Sequence, residues 1–271
     1  MTIVIALMLV AAFCHALWNA LIKHADDRIG AMTVMSVTEI VIVASLVFVV
    51  SPLPFAAWPI LALSVIVHFC YRLCLLLAYR QGDFSQIYPL ARGASPLIAA
   101  FFAYAFLGEA LSARQTIGVL LICGGVVALS FGGKNRKQVM TALLVAVCIS
   151  SYTVIDAAGA RIGKSPLPYI VWINLLESLG YLIFALAWRR RATFRLQRQS
   201  WQYGLVSGVL GLLAYALVIY ALTLAQVGAV SALREISVIF GTLLGVYWLK
   251  KSNTRLAVSF PPLPSPWALS F

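Results

Sequence analysis

Charge is scarce in this chain. Of its 271 residues only 10% are Asp, Glu, Lys or Arg, and only eight are acidic, against roughly a quarter charged in an ordinary soluble domain. No polar stretch between the apolar runs is long enough to fold as a soluble domain. A disulfide framework is missing too: Cys14, Cys70, Cys74, Cys123 and Cys148 all fall inside apolar runs, where a thiol behaves as a small hydrophobe. Cys70 and Cys74 share a helix face at i, i+4, but His68 points away from that face and no further ligands gather nearby, so no metal and no cofactor is expected. The Phe131-Gly132-Gly133-Lys134 stretch lacks the spacing and the following Ser or Thr of a phosphate-binding loop. No nucleophile, base and acid fall into a catalytic set, so enzyme chemistry is not expected. The first apolar run lacks a basic start and carries His15, Trp18 and Asn19 in its second half; it reads as a retained helix rather than a cleaved signal.

What the chain has is apolar length. Hydrophobic residues make up 62% of it, in blocks long enough to cross a bilayer as helices of about 20 residues. Hydropathy predicts nine spans: 3–22, 30–50, 58–79, 85–107, 113–131, 139–157, 168–188, 202–224 and 227–249. The fold class is therefore all-α, a polytopic membrane helix bundle. The formal charge of +12 would suggest nucleic acid in a soluble protein. Here the basic residues collect between apolar blocks, where they set topology and meet anionic lipid, so no nucleic-acid partner is expected.

The chain also repeats itself. Arg28-Ile29-Gly30 recurs as Arg161-Ile162-Gly163, Cys14 and Trp18 are echoed by Cys148 and Tyr152, Glu39 by Glu177, and Tyr71 by Tyr215, always in the same order. Two copies of one unit explain this, 1–133 with five spans and 134–250 with four. An odd number of spans per unit makes the second copy enter the membrane inverted, the plan of many secondary transporters. The tenth span is missing: where a counterpart to Gln115 through Phe131 is due, residues 251–271 carry prolines at 261, 262, 264 and 266, and such spacing cannot sustain a helix in lipid. A truncation or reading-frame change after about residue 250 is expected. Lys23, Arg28, Arg80, Lys134, Arg136, Lys137, Arg189, Arg190, Arg191, Arg195, Arg198, Lys250, Lys251 and Arg255 fall on one face, against Arg114, Arg161 and Lys164 on the other. The positive-inside rule makes the first face cytoplasmic and puts the N-terminus outside.

Within the apolar spans stand a few charges, each costing about 2.5–3.5 kcal/mol or more if left facing lipid. Arg92, in Tyr88-Pro89-Leu90-Ala91-Arg92, and Arg234, in Val230-Ser231-Ala232-Leu233-Arg234, lie about seven residues into corresponding helices of the two copies. They should approach the midplane from opposite faces as anion-facing groups, because guanidinium stays charged and offers forked donors to carboxylate or phosphate. Glu39 and Glu177 are candidate proton carriers, with Asp156, Glu235 and Arg72 as further proton-coupling or ion-pairing groups. The bland alternative for each is a structural ion pair. His15 and His68 can relay protons, though a lone histidine in such a place more commonly serves as a hydrogen-bonded structural residue. Trp18, Tyr71, Tyr88, Tyr152 and Tyr215 form a candidate aromatic lining for cargo, or else ordinary packing. Asn19 is a candidate hydrogen-bonding residue. Gly204-x-x-x-Gly208 and Gly241-x-x-x-Gly245 permit close helix approach, the first between halves and the second at a homodimer face. Pro89 and Pro96 are expected to bend the fourth span near Arg92.

The run Ile87-Tyr88-Pro89-Leu90-Ala91-Arg92-Gly93, the segment Leu107-Gly108-Glu109-Ala110-Leu111-Ser112, the following Gly118 to Val126 stretch and Ala232-Leu233-Arg234-Glu235 together resemble the EamA family of the drug/metabolite transporter superfamily. The similarity spans residues 1 to about 250. It implies a duplicated ten-helix bundle around a central cavity, a secondary carrier that moves a small metabolite, amino acid or drug, usually outward, and a bacterial inner-membrane setting. The chain departs from the family in lacking the tenth helix, in having Lys250-Lys251 where Gly108-Glu109 stand in the first copy, and in a charge bias opposed to the usual inside termini. Two other classes are weighed beside the carrier: an integral-membrane enzyme on lipid-linked substrate, and a non-functional truncated product.

Overall fold

The computed structural model describes residues 1–81, 84–128, 136–189, 196 and 198–248, excepting the side chains of residues 72, 75–81, 84–89, 188, 189, 242 and 245–248. The proline-bearing segment 251–271 therefore lies outside the described residues, as do the side chains of Arg72 and Tyr88. Helices run α1 Thr2–His24, α2 Arg28–Val47, α3 Trp58–Gln81, α4 Phe84–Leu107, α5 Ala113–Ala128, α6 Arg136–Ala160, α7 Leu167–Arg189, α8 Arg198–Leu224, α9 Val227–Arg234 and α10 Ile236–Trp248. The bundle is inside out relative to a soluble protein. Val41, Ile66, Phe101, Leu121 and Ile183 face outward, while Arg92, Asp156, Arg234 and Glu235 are buried, as expected where the surrounding solvent is lipid.

One expectation needs amending. The ninth span is not one helix but two, interrupted at Glu235, whose N–H reaches the Ala232 carbonyl at 3.0 Å while its own carbonyl accepts from Val238 at 2.9 Å. Among the described residues six helices are long and apolar enough to cross a membrane, Ala113–Ala128 is a shorter apolar helix, and the ninth span is divided by this break. Helix α4 continues through Pro96. Pro96 has no N–H to give the Arg92 carbonyl one turn earlier, and the Ser95 hydroxyl donates to that carbonyl instead, at 3.1 Å.

The inversion is visible in how the helices meet. The Asp26 N–H, just after α1, donates to Gln199 at the start of α8. Arg161, just after α6, donates to the Leu222 carbonyl at the other end of α8. With 27 residues, α8 is about 40 Å long, so the equivalent helices α1 and α6 end at opposite faces of the bundle. Packing follows the same exchange: α1 lies on α8 as α6 lies on α3, and α6 lies on α4 as α1 lies on α9 and α10.

The exchange fails at one place. Helix α2 packs closely on α8 through Gly204, Gly208 and Gly211, whereas their counterparts α7 and α3 meet far less closely. A Cβ on Gly204 would lie 2.5 Å from Val34 Cβ, and one on Gly208 2.7 Å from Thr38 Cβ. The first small-residue motif thus joins the two halves. A Cβ on Gly241 meets nothing within 4 Å in the monomer.

Candidate functional site

Arg92 and Arg234 come together around the break in the ninth span. Arg92 Nε donates to Glu235 Oε2 at 2.8 Å and Nη2 to Ser237 Oγ at 3.2 Å. Arg234 Nε stands 3.9 Å from Glu235 Oε1, too far and too poorly aligned for a hydrogen bond. Arg234 is 6% exposed, yet its Nε and Nη2 have no hydrogen-bond partner among the described residues, and neither has Glu235 Oε1. A buried guanidinium with idle donors is costly unless something else occupies them. Glu235 meets Arg92 on α4, while Arg234, one residue earlier, keeps its two nitrogens unpaired.

A second polar cluster lies beside it, and sequence reasoning undervalued it. The Asp156 carboxylate accepts from Ser64 Oγ at 2.5 Å and Tyr169 OH at 3.0 Å on Oδ1, and from Tyr215 OH at 2.6 Å on Oδ2. His68 Nε2 is 3.2 Å from the Tyr215 oxygen and 4.0 Å from Asp156 Oδ2. Its Nδ1 is 3.0 Å from the Ser64 carbonyl and lies at an ion-pair distance of 2.9 Å from Glu177 Oε1, without hydrogen-bond alignment. The imidazole stacks on Tyr152 with ring centroids 3.9 Å apart, and Tyr71 meets the same ring edge-on at 5.7 Å. So Tyr71, Tyr152 and Tyr215 share one neighbourhood. Their candidate companion Trp18 packs on the cluster of Ile22, Ala25 and Ala31 and meets the His15 ring edge-on at 5.2 Å. Arg92 and Arg234 are within electrostatic reach of Tyr152 and His15, which ties the two clusters together.

The remaining candidates are placed as follows. Glu39 accepts from Ser178 Oγ at 2.7 Å, across the meeting of α2 and α7. Asn19 is exposed, and its amide donates to the His15 carbonyl one turn back at 2.7 Å, engaged within its own helix. Ser64, Tyr169 and Ser237 were not singled out. The i, i+4 spacing of Ser64 and His68 was the one signal that could have found the first. Among the described residues no group of His, Cys, Asp and Glu is arranged to hold a metal.

At the face opposite the basic loops, Glu109 and Arg161 form an ion pair that also anchors the turn between α8 and α9. Arg161 donates to the Leu222 and Ala225 carbonyls at the end of α8, and Glu109 Oε2 accepts the Val227 N–H at 2.8 Å at the start of α9. Cation at the C-terminus and anion at the N-terminus suit both helix dipoles. Gly108, at φ +69, lets the chain leave α4 with Glu109 aimed this way. Arg161→Ala is expected to lower stability by about 2 kcal/mol, through orphaned carbonyls as well as the ion pair. Glu109→Gln, in a partly exposed pair, should cost only about 1 kcal/mol. Thermal unfolding in detergent ranks the two, and the reverse order would contradict the anchoring role. A shallow cavity of about 210 Å³ nearby, lined by Ser51, Pro54, Gly163, Lys164 and Ser165, is separate from the arginines.

A membrane bundle of two inverted copies, with charged groups gathered at the interface between them, defines the architecture of a two-repeat transporter. Comparison with known families specifies it: the model of the EamA-like transporter family matches residues 2–131 and 136–260, one match per copy, and the chain belongs to that family. The second match continues past residue 250, where the resemblance was expected to end. No curated protein matches the chain. A solved structure described only as a crystal structure of a protein is similar in fold, with a TM-score of 0.69 and 18% identity over 94% of this chain and 89% of that one.

Proposed function

We propose that this transporter is a secondary carrier for a small molecule bearing a carboxylate or phosphate, worked by alternating access of its two halves, and that it acts mainly in efflux across a bacterial inner membrane. The observation that carries the reading is Arg234: buried, charged, and with two guanidinium nitrogens unpartnered among the described residues, beside the Arg92–Glu235 pair. Glu235 stands where a cargo anion would compete for Arg92. Binding then exchanges one carboxylate for another at Arg92, while Arg234 supplies donors that nothing yet occupies among the described residues. Tyr71 and Tyr152 supply apolar surface for the body of the cargo. The uneven packing of α2 on α8 and of α3 on α7 supports two exchangeable states, since inverted copies can trade conformations when access alternates.

Counterflow in proteoliposomes tests this. Labelled amino acids and organic acids are compared with neutral amide analogues of the same shape. Saturable exchange of the anionic member, with the amide weaker by about tenfold or more, is the expected outcome. Equal exchange of acid and amide would remove the arginines from cargo recognition.

A further inference from the structure

The Asp156 cluster is not needed to hold an anion, and although Tyr152, Glu177 and Tyr215 have counterparts in the other copy, Asp156 and His68 have none. On the alignment of the copies that pairs Trp18 with Tyr152 and Tyr71 with Tyr215, Asp156 corresponds to Ile22 and His68 to Leu212. A symmetric device would help hold the bundle together equally at both faces. A one-sided titratable device links an exchange of halves to a proton gradient, and the gradient sets the direction.

We infer that His68, held between Asp156 and Glu177, is the proton-binding site that couples this carrier to a proton gradient; this rests on the carrier reading above. Each hydroxyl facing the ring has one proton, and with Asp156 ionised the shortest contacts assign both to its carboxylate. Ser64 Oγ gives its proton to Asp156 Oδ1 at 2.5 Å, and Tyr215 gives its own to Asp156 Oδ2 at 2.6 Å. What remains for His68 is acceptors only: the Ser64 carbonyl and Glu177 at Nδ1, and the Tyr215 oxygen at Nε2 with Asp156 beyond it. An imidazolium satisfies both ends of that arrangement; a neutral imidazole leaves one nitrogen facing an acceptor with nothing to donate. The proton binds from solvent on one side and leaves to solvent on the other.

The groups facing His68 come from every helix packed around it: Ser64 on α3, Tyr152 and Asp156 on α6, Tyr169, through Asp156, and Glu177 on α7, and Tyr215 on α8. Arg72 lies one turn further along α3, its side chain outside the described residues. Helices α3 and α7 meet loosely, touching near the opposite face through Trp58 and Trp172, 5.0 Å apart, and midway through His68 and Glu177. With the proton bound, the ring attracts Glu177; with it gone, that polar link weakens at a place where the two halves are loosely packed. Proton occupancy is thereby linked to the separation of α3 and α7, the movement that alternating access requires.

The test uses protons alone as the probe. Proteoliposomes of the full chain on a solid-supported membrane receive a pH jump without cargo. The expected result is a transient charge displacement that is lost in His68→Gln and Asp156→Asn, kept in Asp156→Glu, and shifted in pH midpoint by Tyr215→Phe. Displacement unchanged in His68→Gln and Asp156→Asn overturns the inference, as does a response to a sodium jump at constant pH in place of the pH response. If those two variants do not fold, ¹⁵N spectra of histidine-labelled protein decide, with His15→Asn and His24→Asn used for assignment. A His68 ring carrying two N–H protons that titrates supports the site, and a neutral ring that never titrates between about pH 5 and 9 overturns it. Cargo exchange without any pH-driven displacement refutes proton coupling and leaves the carrier reading. His68-dependent displacement without exchange of any cargo does the opposite.

Discussion

Replacing Arg234 with alanine is expected to abolish most transport while leaving the fold intact, and replacing Arg92 is expected to damage both. The two arginines occupy corresponding positions, but their surroundings differ. Arg92 neutralises Glu235, whose side chain is fully buried, and breaking such a pair by removing one partner costs about 3–5 kcal/mol. Arg234 has idle nitrogens at Nε and Nη2, so its removal takes away a desolvated charge and few hydrogen bonds. Charge-assisted hydrogen bonds of about 1.5–3 kcal/mol to a cargo anion put the loss of flux at roughly 10- to 150-fold. Unfolding temperature and counterflow, measured together, separate the effects. Arg92→Ala should regain stability when Glu235→Gln is added, because the orphaned charge is gone. An Arg92→Ala variant as stable as Arg234→Ala would remove the ion pair from the account, and full flux in Arg234→Ala would remove the anion site.

Gly208→Val should push α2 away from α8 and disable the carrier even though no charge is touched. A Cβ at Gly208 already falls 2.7 Å from Thr38 Cβ and 2.9 Å from the Met35 carbonyl oxygen. Both atoms sit on or beside backbone and cannot simply rotate aside. Overpacking of this kind costs about 1–3 kcal/mol, and the cheapest relief is to separate the two helices. Distances between spin labels on α2 and α8 should lengthen and the unfolding temperature should fall. Gly124→Ala is the control: a Cβ there meets nothing within 4 Å, so it should be neutral or gain the modest benefit of alanine in a helix. Equal effects from both substitutions would show that the close approach of α2 and α8 is not what Gly208 protects.

Much of the architecture was legible because lipid enforces it. A span must be long, apolar and helical, so hydropathy located the spans to within a few residues, and the repeats of Arg-Ile-Gly and of Glu39 with Glu177 made the duplication visible. The meeting of Arg92 with Glu235 was harder to see. Spacing around the helix directs Glu235 to a neighbouring helix but does not say which one, and the interruption at Glu235 has no proline or glycine to announce it. The Ser64–His68–Asp156–Tyr215 cluster was hidden for a related reason. Its members lie on three helices up to about 150 residues apart in sequence, and each taken alone resembles an ordinary buried polar residue. Glu109 appeared as part of a motif without a stated task. Its partner Arg161 looked like a loop charge until both were found at the turn between α8 and α9.

Apolar length, charge bias and an odd number of spans per copy were enough to define a membrane bundle of inverted copies with arginines near the middle, since they admit few other arrangements. Which charges are satisfied and which are left waiting was set by how the helices fold against one another. That depends on the angle at which helices cross and on where one of them breaks, and shifts of an ångström or two turn a paired guanidinium into an idle one. Lipid fixes how long each helix must be but is nearly indifferent to which polar face meets which, so that choice belongs to packing.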